Sequence, residues 1–312
     1  MRKDHVLIMA LLMVLNVGPL HAATVNVNCT ISTLSNALAL LTKTDTNLVN
    51  ISGNCIEDVE VAGFRDLTLN GIGAASITTT ESINDFPTGT ALTVDQRSSV
   101  TVQALTLNGG NLGQGALCTG RSYCLFRNVT FDGGLGGLSV QSQSGADIVG
   151  TSKIQNFADT GLGVYAASTV NLHPEPNNDT TAGPVISGQG LGVAVQDGAY
   201  LRADNVSISG NYLGIYAQRN AVLKIFGPMG KVNNNMDIGI FAQLGSAVQV
   251  NAAAVSNNGG DGIYLGPLSS VQLGNGAAIK GNGKWSVNCE KNAVTVARGF
   301  GNATWDKNNC GN

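Results

Sequence analysis

Apolar and polar residues alternate in short segments that recur along most of the chain. Six segments begin with a glycine, followed by an aliphatic, a variable and an aliphatic or alanine residue: Gly137-Leu-Ser-Val, Gly163-Val-Tyr-Ala, Gly192-Val-Ala-Val, Gly214-Ile-Tyr-Ala, Gly239-Ile-Phe-Ala and Gly262-Ile-Tyr-Leu. A period of two is typical of a β-strand that buries one face. We call these predicted strands the A strands. Their aliphatic positions face the core, and the variable middle position faces outward.

Two more predicted strands follow each A strand, the second within residues such as 169–172, 222–225 and 247–250. The third strands end in apolar residues: Leu107, Phe131, Ile154, Ile186, Ile208, Val232, Val255 and Ile279. Most steps between these positions are 22 to 24 residues, and one step of 32 contains a Pro-rich insertion over residues 173–184. Three strands in each repeat predict one coil of a parallel β-helix, because a β-sandwich would need tight hairpins instead.

Asparagine and glycine dominate the turn after the third strand, as at Asn211, Asn235, Asn258 and Asn282. Asparagine tolerates left-handed backbone, and its amide can bond to the same amide one coil away, so we predict a structural asparagine column. Residues 30–42 have helical periodicity and form the predicted N-terminal cap. The expected organisation is therefore a cap at 23–47, a β-helix at 48–284 and a C-terminal cap at 285–312.

The first residues resemble a secretory signal peptide. Two basic residues precede an apolar stretch over residues 6–17, and small residues follow at Ala22 and Ala23. Residues 1–22 are therefore expected to be removed on export, because the stretch is short for a membrane span of about 20 residues. An uncleaved membrane anchor is the alternative. We expect a secreted protein, or one in the periplasm or at the cell surface if the source is a Gram-negative bacterium.

Six cysteines lie beyond the signal peptide, and export favours disulfides. We predict that sequential neighbours pair: Cys29 with Cys55, Cys118 with Cys124, and Cys289 with Cys310. The first bond ties the N-terminal cap to a coil, and the last one closes the C-terminal cap. The absence of a Cys-x-x-Cys motif or a Cys/His cluster argues against a zinc site, and no cofactor is expected other than a calcium ion discussed below.

Only 12% of the residues are charged, 41 are glycine, and the net charge is −3. This composition suits stacked strands that tight turns connect. The mild negative charge gives no electrostatic reason to expect nucleic acid as a partner. After the first residues no long apolar run occurs, so membrane insertion is not expected. The oligomeric state is left open.

The coil length, the asparagine-rich corner, the N-terminal helix and the segment Asn50-Ile-Ser-Gly-Asn-Cys-Ile-Glu-Asp-Val-Glu-Val together resemble the pectin-lyase-like superfamily. The resemblance implies an all-β, right-handed, single-stranded parallel β-helix. Members of that superfamily include polysaccharide lyases, glycoside hydrolases, epimerases, tailspikes and adhesins. Their catalytic motifs do not occur in this chain, so no catalytic residue is transferred, and the resemblance leaves open whether the protein is an enzyme.

The outward positions of the A strands form a column: Ser139, Tyr165, Ala194, Tyr216, Phe241 and Tyr264. Aromatic rings on successive coils lie about 4.8 Å apart and make an exposed ribbon. Such a ribbon can stack against sugar rings, which makes Tyr165, Tyr216, Phe241 and Tyr264 the candidate ligand-binding residues. The alternative is that the rings only stabilise packing between coils.

Three charged residues border this ribbon. Asp237 and Asp261 precede A strands on adjacent coils, where they could form an acid/base pair, share a calcium ion or complete a turn ladder. Arg219 follows an A strand and could contact a uronate or pair with Asp197 at the surface. These residues are the candidate catalytic set. His173 is expected in a surface loop.

Two functions remain open at this point. The protein could bind or act on a polysaccharide or cell-surface glycan along one face, as a lyase, a hydrolase or a non-catalytic binder. It could instead be a structural or adhesive protein that uses the solenoid as a rigid spacer. Charged residues clustered around the aromatic ribbon would favour the first function, and a flat uncharged face would favour the second.

Overall fold

The computed structural model describes residues 22–80, 89–176, 181–188, 190–290, 298–299 and 301–310. Within them the chain winds through about 11 turns of a parallel β-solenoid and contains very little helix. The parallel β-helix predicted from the repeat is therefore confirmed. The expected signal peptide lies outside the described residues except for Ala22. No helix in the described part of the chain has the length and apolar character that a membrane span requires.

The strands, numbered in chain order, form three faces, and neighbouring strands are parallel throughout. Face A holds the A strands: β3 (Val59–Ala62), β5 (Thr90–Asp95), β8 (Gln114–Cys118), β11 (Gly136–Val140), β14 (Thr160–Val164), β17 (Leu191–Gln196), β20 (Leu213–Gln218), β23 (Ile240–Gln243), β26 (Ile263–Leu265) and β29 (Val287–Cys289). Each strand pairs with its equivalent in the coils before and after it. The two other faces follow the same rule.

Face B holds the second strand of each coil: β1 (Ala23–Asn28), β2 (Thr46–Ile56), β4 (Asp66–Thr78), β6 (Ser99–Gln103), β9 (Tyr123–Arg127), β12 (Gly145–Val149), β15 (Thr169–His173), β18 (Tyr200–Asp204), β21 (Val222–Phe226), β24 (Ala247–Asn251), β27 (Ser270–Leu273) and β30 (Arg298–Gly299). Face C holds the third: β7 (Thr106–Asn108), β10 (Thr130–Asp132), β13 (Lys153–Gln155), β16 (Val185–Ser187), β19 (Ser207–Ser209), β22 (Lys231–Asn233), β25 (Ala254–Ser256), β28 (Ala278–Lys280) and β31 (Thr304–Trp305). The long strands β2 and β4 run from face B onto face C.

A single hydrophobic core fills the space between the three faces. Alternate residues of each strand point into it, which explains why the apolar period is two on every face. Its largest fully buried side chains are Phe126, Phe131 and Phe157. The outward positions of the same strands are therefore the ones available for binding.

The predicted asparagine column exists at the corner between faces C and A, where it forms a ladder of side-chain amides. Nδ2 of each asparagine donates to Oδ1 of the next, over 3.0 Å from Asn211 to Asn235 and 2.9 Å from Asn235 to Asn258. Asn258 continues the ladder to Asn282 over 2.9 Å. The glycine that begins each A strand makes room for this ladder: a Cβ at Gly239 would lie 2.6 Å from Asn258 Nδ2.

Two adjacent glycines in β11 allow a direct test of this close packing. A methyl group at Gly137 would lie 2.4 Å from Ile154 Cγ2 and 2.5 Å from the Gly161 carbonyl oxygen, whereas at Gly136 the nearest atom would be 3.4 Å away. We expect Gly137→Ala to lower the free energy of unfolding by about 1–3 kcal/mol. The matched control Gly136→Ala should stay within about 0.5 kcal/mol. Urea titrations of both variants measure the difference, and equal stabilities would contradict the close approach.

The N-terminal helix predicted within residues 30–42 is confirmed as α1 (Leu34–Ala39). Thr33 is its N-cap, and the Glu57 carboxylate accepts hydrogen bonds from the Leu34 and Ser35 amides over 2.6 and 3.0 Å. These bonds satisfy backbone N–H groups that the first turn of a helix leaves unpaired. They also fasten the helix to the adjacent coil.

All three predicted disulfides are present, as Cys29–Cys55, Cys118–Cys124 and Cys289–Cys310. The parallel pairing extends beyond both expected ends of the β-helix. Strand β1 already pairs with β2, although it lies in the expected cap. Strands β29, β30 and β31 add a further coil after residue 285, because backbone pairing does not require the apolar repeat that residues 285–312 lack. The last disulfide ties this coil to residue 310.

Candidate functional site

The aromatic ribbon on face A has the register that the repeat predicts. Ala194 pairs with Tyr216, Tyr216 with Phe241, and Phe241 with Tyr264. The Tyr216 and Phe241 rings are stacked, with centroids 5.4 Å apart and planes at 9°, and Tyr264 lies 4.9 Å beyond Phe241 at 40°. All three side chains are half-buried. Since neighbouring rings turn their faces to each other, the ribbon presents mainly ring edges and hydroxyl groups to the outside.

The expected position of Tyr165 in this column was wrong by two residues. Gly163 pairs with Ser139 on one side and Ala194 on the other, so Gly163 holds the outward position. Tyr165 follows the end of β14, and its ring folds back over Gly163: a Cβ on that glycine would lie 2.3 Å from Tyr165 Cε2. The ring therefore still covers the column, although its backbone lies at the next corner.

A cleft of about 320 Å³ opens on face A beside Tyr165. Ser139, Asp159, Thr160 and Tyr165 are among the residues that line it. Burial, and secondarily the negative charge of Asp159, raise the pKa of the Tyr165 hydroxyl above its usual value, so this group remains a neutral hydrogen-bond donor. The cleft lies on the same face as the aromatic ribbon, toward the N-terminal end of the solenoid.

Three glutamines run alongside the ribbon, because Gln196, Gln218 and Gln243 are in register on successive coils. The Tyr216 hydroxyl lies 2.7 Å from the Gln218 amide and also accepts a hydrogen bond from Gln243 Nε2. The column of rings is thus joined to a column of amides. Amide and hydroxyl groups in a linear array can bond to the hydroxyl groups of a linear ligand.

Tyr264, at the far end of the ribbon, lies near the carboxylates of Asp261 and Glu290. Burial is the largest cause that raises the pKa of its hydroxyl, and Glu290 and Asp261 raise it further. A hydrogen bond to Glu290 also favours the protonated phenol. The hydroxyl therefore stays protonated at neutral pH.

Asp237 and Asp261, for which an acid/base pair, a shared calcium ion and a turn ladder were the alternatives, are not in register on their adjacent coils. The Gly260 amide donates to the Asp237 carbonyl oxygen over 2.9 Å, and Ile240 pairs with Ile263, so Asp237 aligns with Gly260. Asp261 is one residue further along. A shift of one residue turns a side chain to the opposite side of an extended segment, and accordingly Asp261 is buried while Asp237 is half-exposed.

Both carboxylate oxygens of Asp261 already have partners. Oδ1 accepts a hydrogen bond from the Trp285 amide over 3.0 Å, and Oδ2 accepts one from Asn288 Nδ2 over 2.7 Å. This arrangement fastens the last coil to its neighbour. It matches the turn-ladder alternative better than acid/base chemistry, because an oxygen that accepts a structural hydrogen bond is less available to a substrate.

Arg219 forms the exposed ion pair that the sequence suggested. Its guanidinium contacts both oxygens of Asp197, with Nη2 3.1 Å from Oδ2, and it also donates to Gln196 Oε1 over 3.0 Å. The hydrogen bond from Arg219 lowers the pKa of the Asp197 carboxyl. The pair borders the ribbon at the corner that follows β17 and β20, so the Arg219 charge is partly neutralised before any ligand arrives.

Among the described residues, one cluster of three side chains has ligand atoms close enough to hold a metal ion: Cys29, Cys55 and Glu57. Its two cysteines are joined in a disulfide, which removes the thiolates that bind metals. The Glu57 carboxylate caps α1. Calcium at Asp237 or Asp261 stays a prediction that the register does not favour.

A further cleft lies on face B, where the sequence predicted no ligand site. It has a volume of about 560 Å³, and its lining includes His173, Arg202, Asp204 and Phe226. His173 is the last residue of β15 and half-buried, not a residue of an exposed loop as expected. The 32-residue step was the feature of the sequence that could have indicated this cleft. The inserted segment begins at β15 and forms one wall of the cleft.

The family described as the right handed beta helix region matches residues 114–310, which is more than half of the chain. No curated protein matches. A crystal structure of the periplasmic alginate epimerase AlgG is similar over 89% of this chain and 68% of that chain, with 14% sequence identity and a TM-score of 0.43.

Proposed function

The chain belongs to the right-handed β-helix family, and on that scaffold we propose that it binds a polysaccharide along face A without catalysing its cleavage. The family also confirms the right-handed β-helix that the resemblance implied. Because proteins of one fold serve many functions, the proposal depends on the surface of face A and not on the fold.

The observation that carries the proposal is the linear arrangement of polar and aromatic groups on one face. The cleft at Tyr165 and the ribbon of Tyr216, Phe241 and Tyr264 follow the same column of β-strands. A polymer that lies parallel to the solenoid axis would meet one aromatic ring on each of the three coils of the ribbon, about 4.8 Å apart. Ring edges and hydroxyl groups with a column of glutamine amides beside them suit a ligand that carries many hydroxyl groups.

A binding role is favoured over catalysis by the state of the charged candidates. Asp261 holds two structural hydrogen bonds, Asp237 lies out of register with it, and Arg219 is paired with Asp197. A general acid and base must both reach the bond that they act on. The proposed contacts are therefore the aromatic, glutamine and serine side chains.

The expected export agrees with the same proposal. Three disulfides are stable in an oxidising compartment such as the periplasm or the extracellular space. Polysaccharides and cell-surface glycans are present in both compartments. We propose that the protein acts there after removal of residues 1–22.

The test uses tyrosines in and outside the ribbon. A polysaccharide selected on a glycan array is titrated by calorimetry against the Tyr216→Ala and Tyr264→Ala variants. Each should weaken binding by about 1–3 kcal/mol, because an aromatic contact at the centre of an interface is lost. Tyr212→Ala is the matched control, since Tyr212 is exposed on the preceding corner and outside the ribbon. Unchanged affinity in both ribbon variants would reject the proposal.

A spacer or adhesin is the second candidate function, and the mutual stacking of Tyr216 and Phe241 is the observation in its favour. Rings that cover each other's faces stabilise the contact between coils whether or not a ligand is present. Under this function the glycan array gives no ligand. The ribbon variants would then lose stability and no measurable binding.

A further inference from the structure

The cleft on face B is built from parts of three coils. Its floor contains outward residues of β15 and β18, Asn171 and Arg202, which are in register on adjacent coils. One wall is the base of the inserted segment, from His173 to Pro176, and the other is the corner from Phe226 to Pro228. Three prolines, Pro174, Pro176 and Pro228, line these walls. Proline restricts the backbone, so the walls are already rigid before a ligand binds.

Contacts with earlier coils hold the inserted wall in place. Glu175 Oε2 lies 3.7 Å from Arg127 Nε, and Asn128 Nδ2 donates to Glu175 Oε1 over 3.4 Å. Asn205 at the opposite end accepts a hydrogen bond from the Met229 amide over 3.1 Å. Separate contacts thus hold the two walls of the cleft, which is typical of a site that is already formed without its ligand.

Asp204 is the most unusual polar group in the cleft. Its Oδ2 accepts a hydrogen bond from Arg202 Nε over 2.8 Å, whereas its Oδ1 is buried and accepts none within the described part of the chain. A buried carboxylate oxygen without a donor is unfavourable, and a hydroxyl group that donates to it restores the lost bond. The Arg202 guanidinium lies 5.2 Å above the Phe226 ring and is therefore held in place on both sides.

His173 contributes an acceptor to the same cleft. Its Nδ1 lies 2.8 Å from the Pro174 carbonyl oxygen, which can only accept, so Nδ1 carries the hydrogen. In the neutral imidazole Nε2 then accepts a hydrogen bond. Asn171 donates its Nδ2 to Asp147 Oδ1 over 2.8 Å, and its Oδ1 remains as a second acceptor. Asp204, His173 and Asn171 thus offer acceptors to hydroxyl donors.

The charges that line the cleft are balanced by partners in the protein. Arg202 pairs with Asp204, and Glu175 pairs with Arg127. Among the described lining residues no cation is left to attract an anionic ligand. Phe226 and the prolines add apolar walls. A ring with one apolar side and several hydroxyl groups fits both the walls and the acceptors.

We propose that this cleft binds a neutral sugar unit, whose hydroxyl groups donate to Asp204, His173 and Asn171 while its ring packs against Phe226 and Pro228. The site is separate from the ribbon on face A and does not depend on the polysaccharide proposed there. Two sugar-binding surfaces on different faces would allow the solenoid to hold two glycan segments at once. The avidity for a glycan that reaches both surfaces would then exceed the affinity of either one.

The experiment observes the imidazole of His173 by NMR in the ¹⁵N-labelled full chain, with its signals assigned by comparison with His173→Gln. Neutral methyl glycosides of gluco, galacto and manno configuration are the probes, and the corresponding uronic acids form a second arm. We expect at least one neutral glycoside to shift the His173 signals in a saturable manner. Asp204→Asn should weaken this binding roughly 10- to 100-fold, because a hydrogen bond to a charged group is lost.

Two further variants separate this site from general effects. Phe226→Leu keeps an apolar wall but removes the flat ring, and it should weaken binding at least several-fold without loss of fold. Lys224→Gln is the control, because Lys224 neighbours Arg202 in the same outward column but does not line the cleft. Tyr216→Ala and Tyr264→Ala should leave the His173 shifts unchanged, so failure of the ribbon proposal is distinguishable. No shift with any neutral glycoside, equal affinity in Asp204→Asn, or tighter binding of the uronic acids would each overturn the proposal.

Discussion

Asn235→Ala is expected to lower the free energy of unfolding by about 3–5 kcal/mol, because one side chain satisfies several buried groups. Its Oδ1 accepts from the Asn211 amide over 3.1 Å and from Asn211 Nδ2 over 3.0 Å. Its Nδ2 donates to Asn258 Oδ1 over 2.9 Å and to the Ile208 carbonyl over 3.3 Å. Alanine removes these four bonds from a buried corner. Asn258 Oδ1 keeps its bond from the Asn235 backbone amide over 3.1 Å, whereas the Asn211 backbone amide loses its partner.

Asn233→Ala is the matched control for this variant. Asn233 ends β22 two residues earlier and is half-exposed, so its loss should cost no more than about 0.5 kcal/mol. Urea unfolding measures the stabilities, and hydrogen exchange locates the damage in the coils that contain Asn211 and Asn258. Because each coil of a solenoid contacts only its neighbours, protection in distant coils should be unchanged. Equal stability of the two variants would show that the ladder is dispensable.

The period of the repeat predicted the fold because every coil meets its neighbours in register. Aliphatic residues flank Tyr216 and Phe241 on both sides. The register that buries these aliphatic residues turns the two rings outward, and a shift of one residue would do the opposite. The same reasoning predicted the asparagine column, since an amide at one corner needs an equivalent amide one coil away. Disulfide pairing followed from the order of the coils.

The register predicted from the sequence is wrong in β14, where two glycines lie within one strand. Gly161 and Gly163 each precede an aliphatic residue, and the apolar alternation fits either as the start of the A strand. The structure selects Gly161, because Leu162 and Val164 pair with the core positions Val193 and Val195. A pattern with a period of two cannot distinguish starting points that differ by two. For the same reason the sequence could not decide whether Asp237 and Asp261, on adjacent coils, are in register.

The sequence did not predict the cleft on face B, because an insertion separates the chain segments that line it. His173 and Asp204 occupy equivalent positions of β15 and β18, but the inserted segment lengthens the chain between them. Counting residues thus assigned His173 to a loop. Alignment of the two strands by their apolar residues, Leu172 and Ala203, would have placed both side chains on the outward side of face B.

Phe126→Ala is expected to cost about 3–5 kcal/mol, as is usual when a buried ring is removed and a cavity remains. Phe126 is 0% exposed, and its ring meets Phe131 edge-on with centroids 5.0 Å apart. Phe241→Ala is the matched comparison on the outside of the solenoid. It removes a half-buried ring with stacking partners on both sides and should cost about 1–2 kcal/mol.

The difference between the two phenylalanine variants, measured by urea unfolding, decides how the binding experiments are interpreted. If Phe241→Ala costs as much as Phe126→Ala, the ribbon is part of the structural core and the spacer function is favoured. If the expected difference is found, the rings of face A contribute little to stability and can be removed without unfolding the coils. Loss of glycan binding in Tyr216→Ala would then report a lost contact, because the coil that carries Tyr216 remains folded.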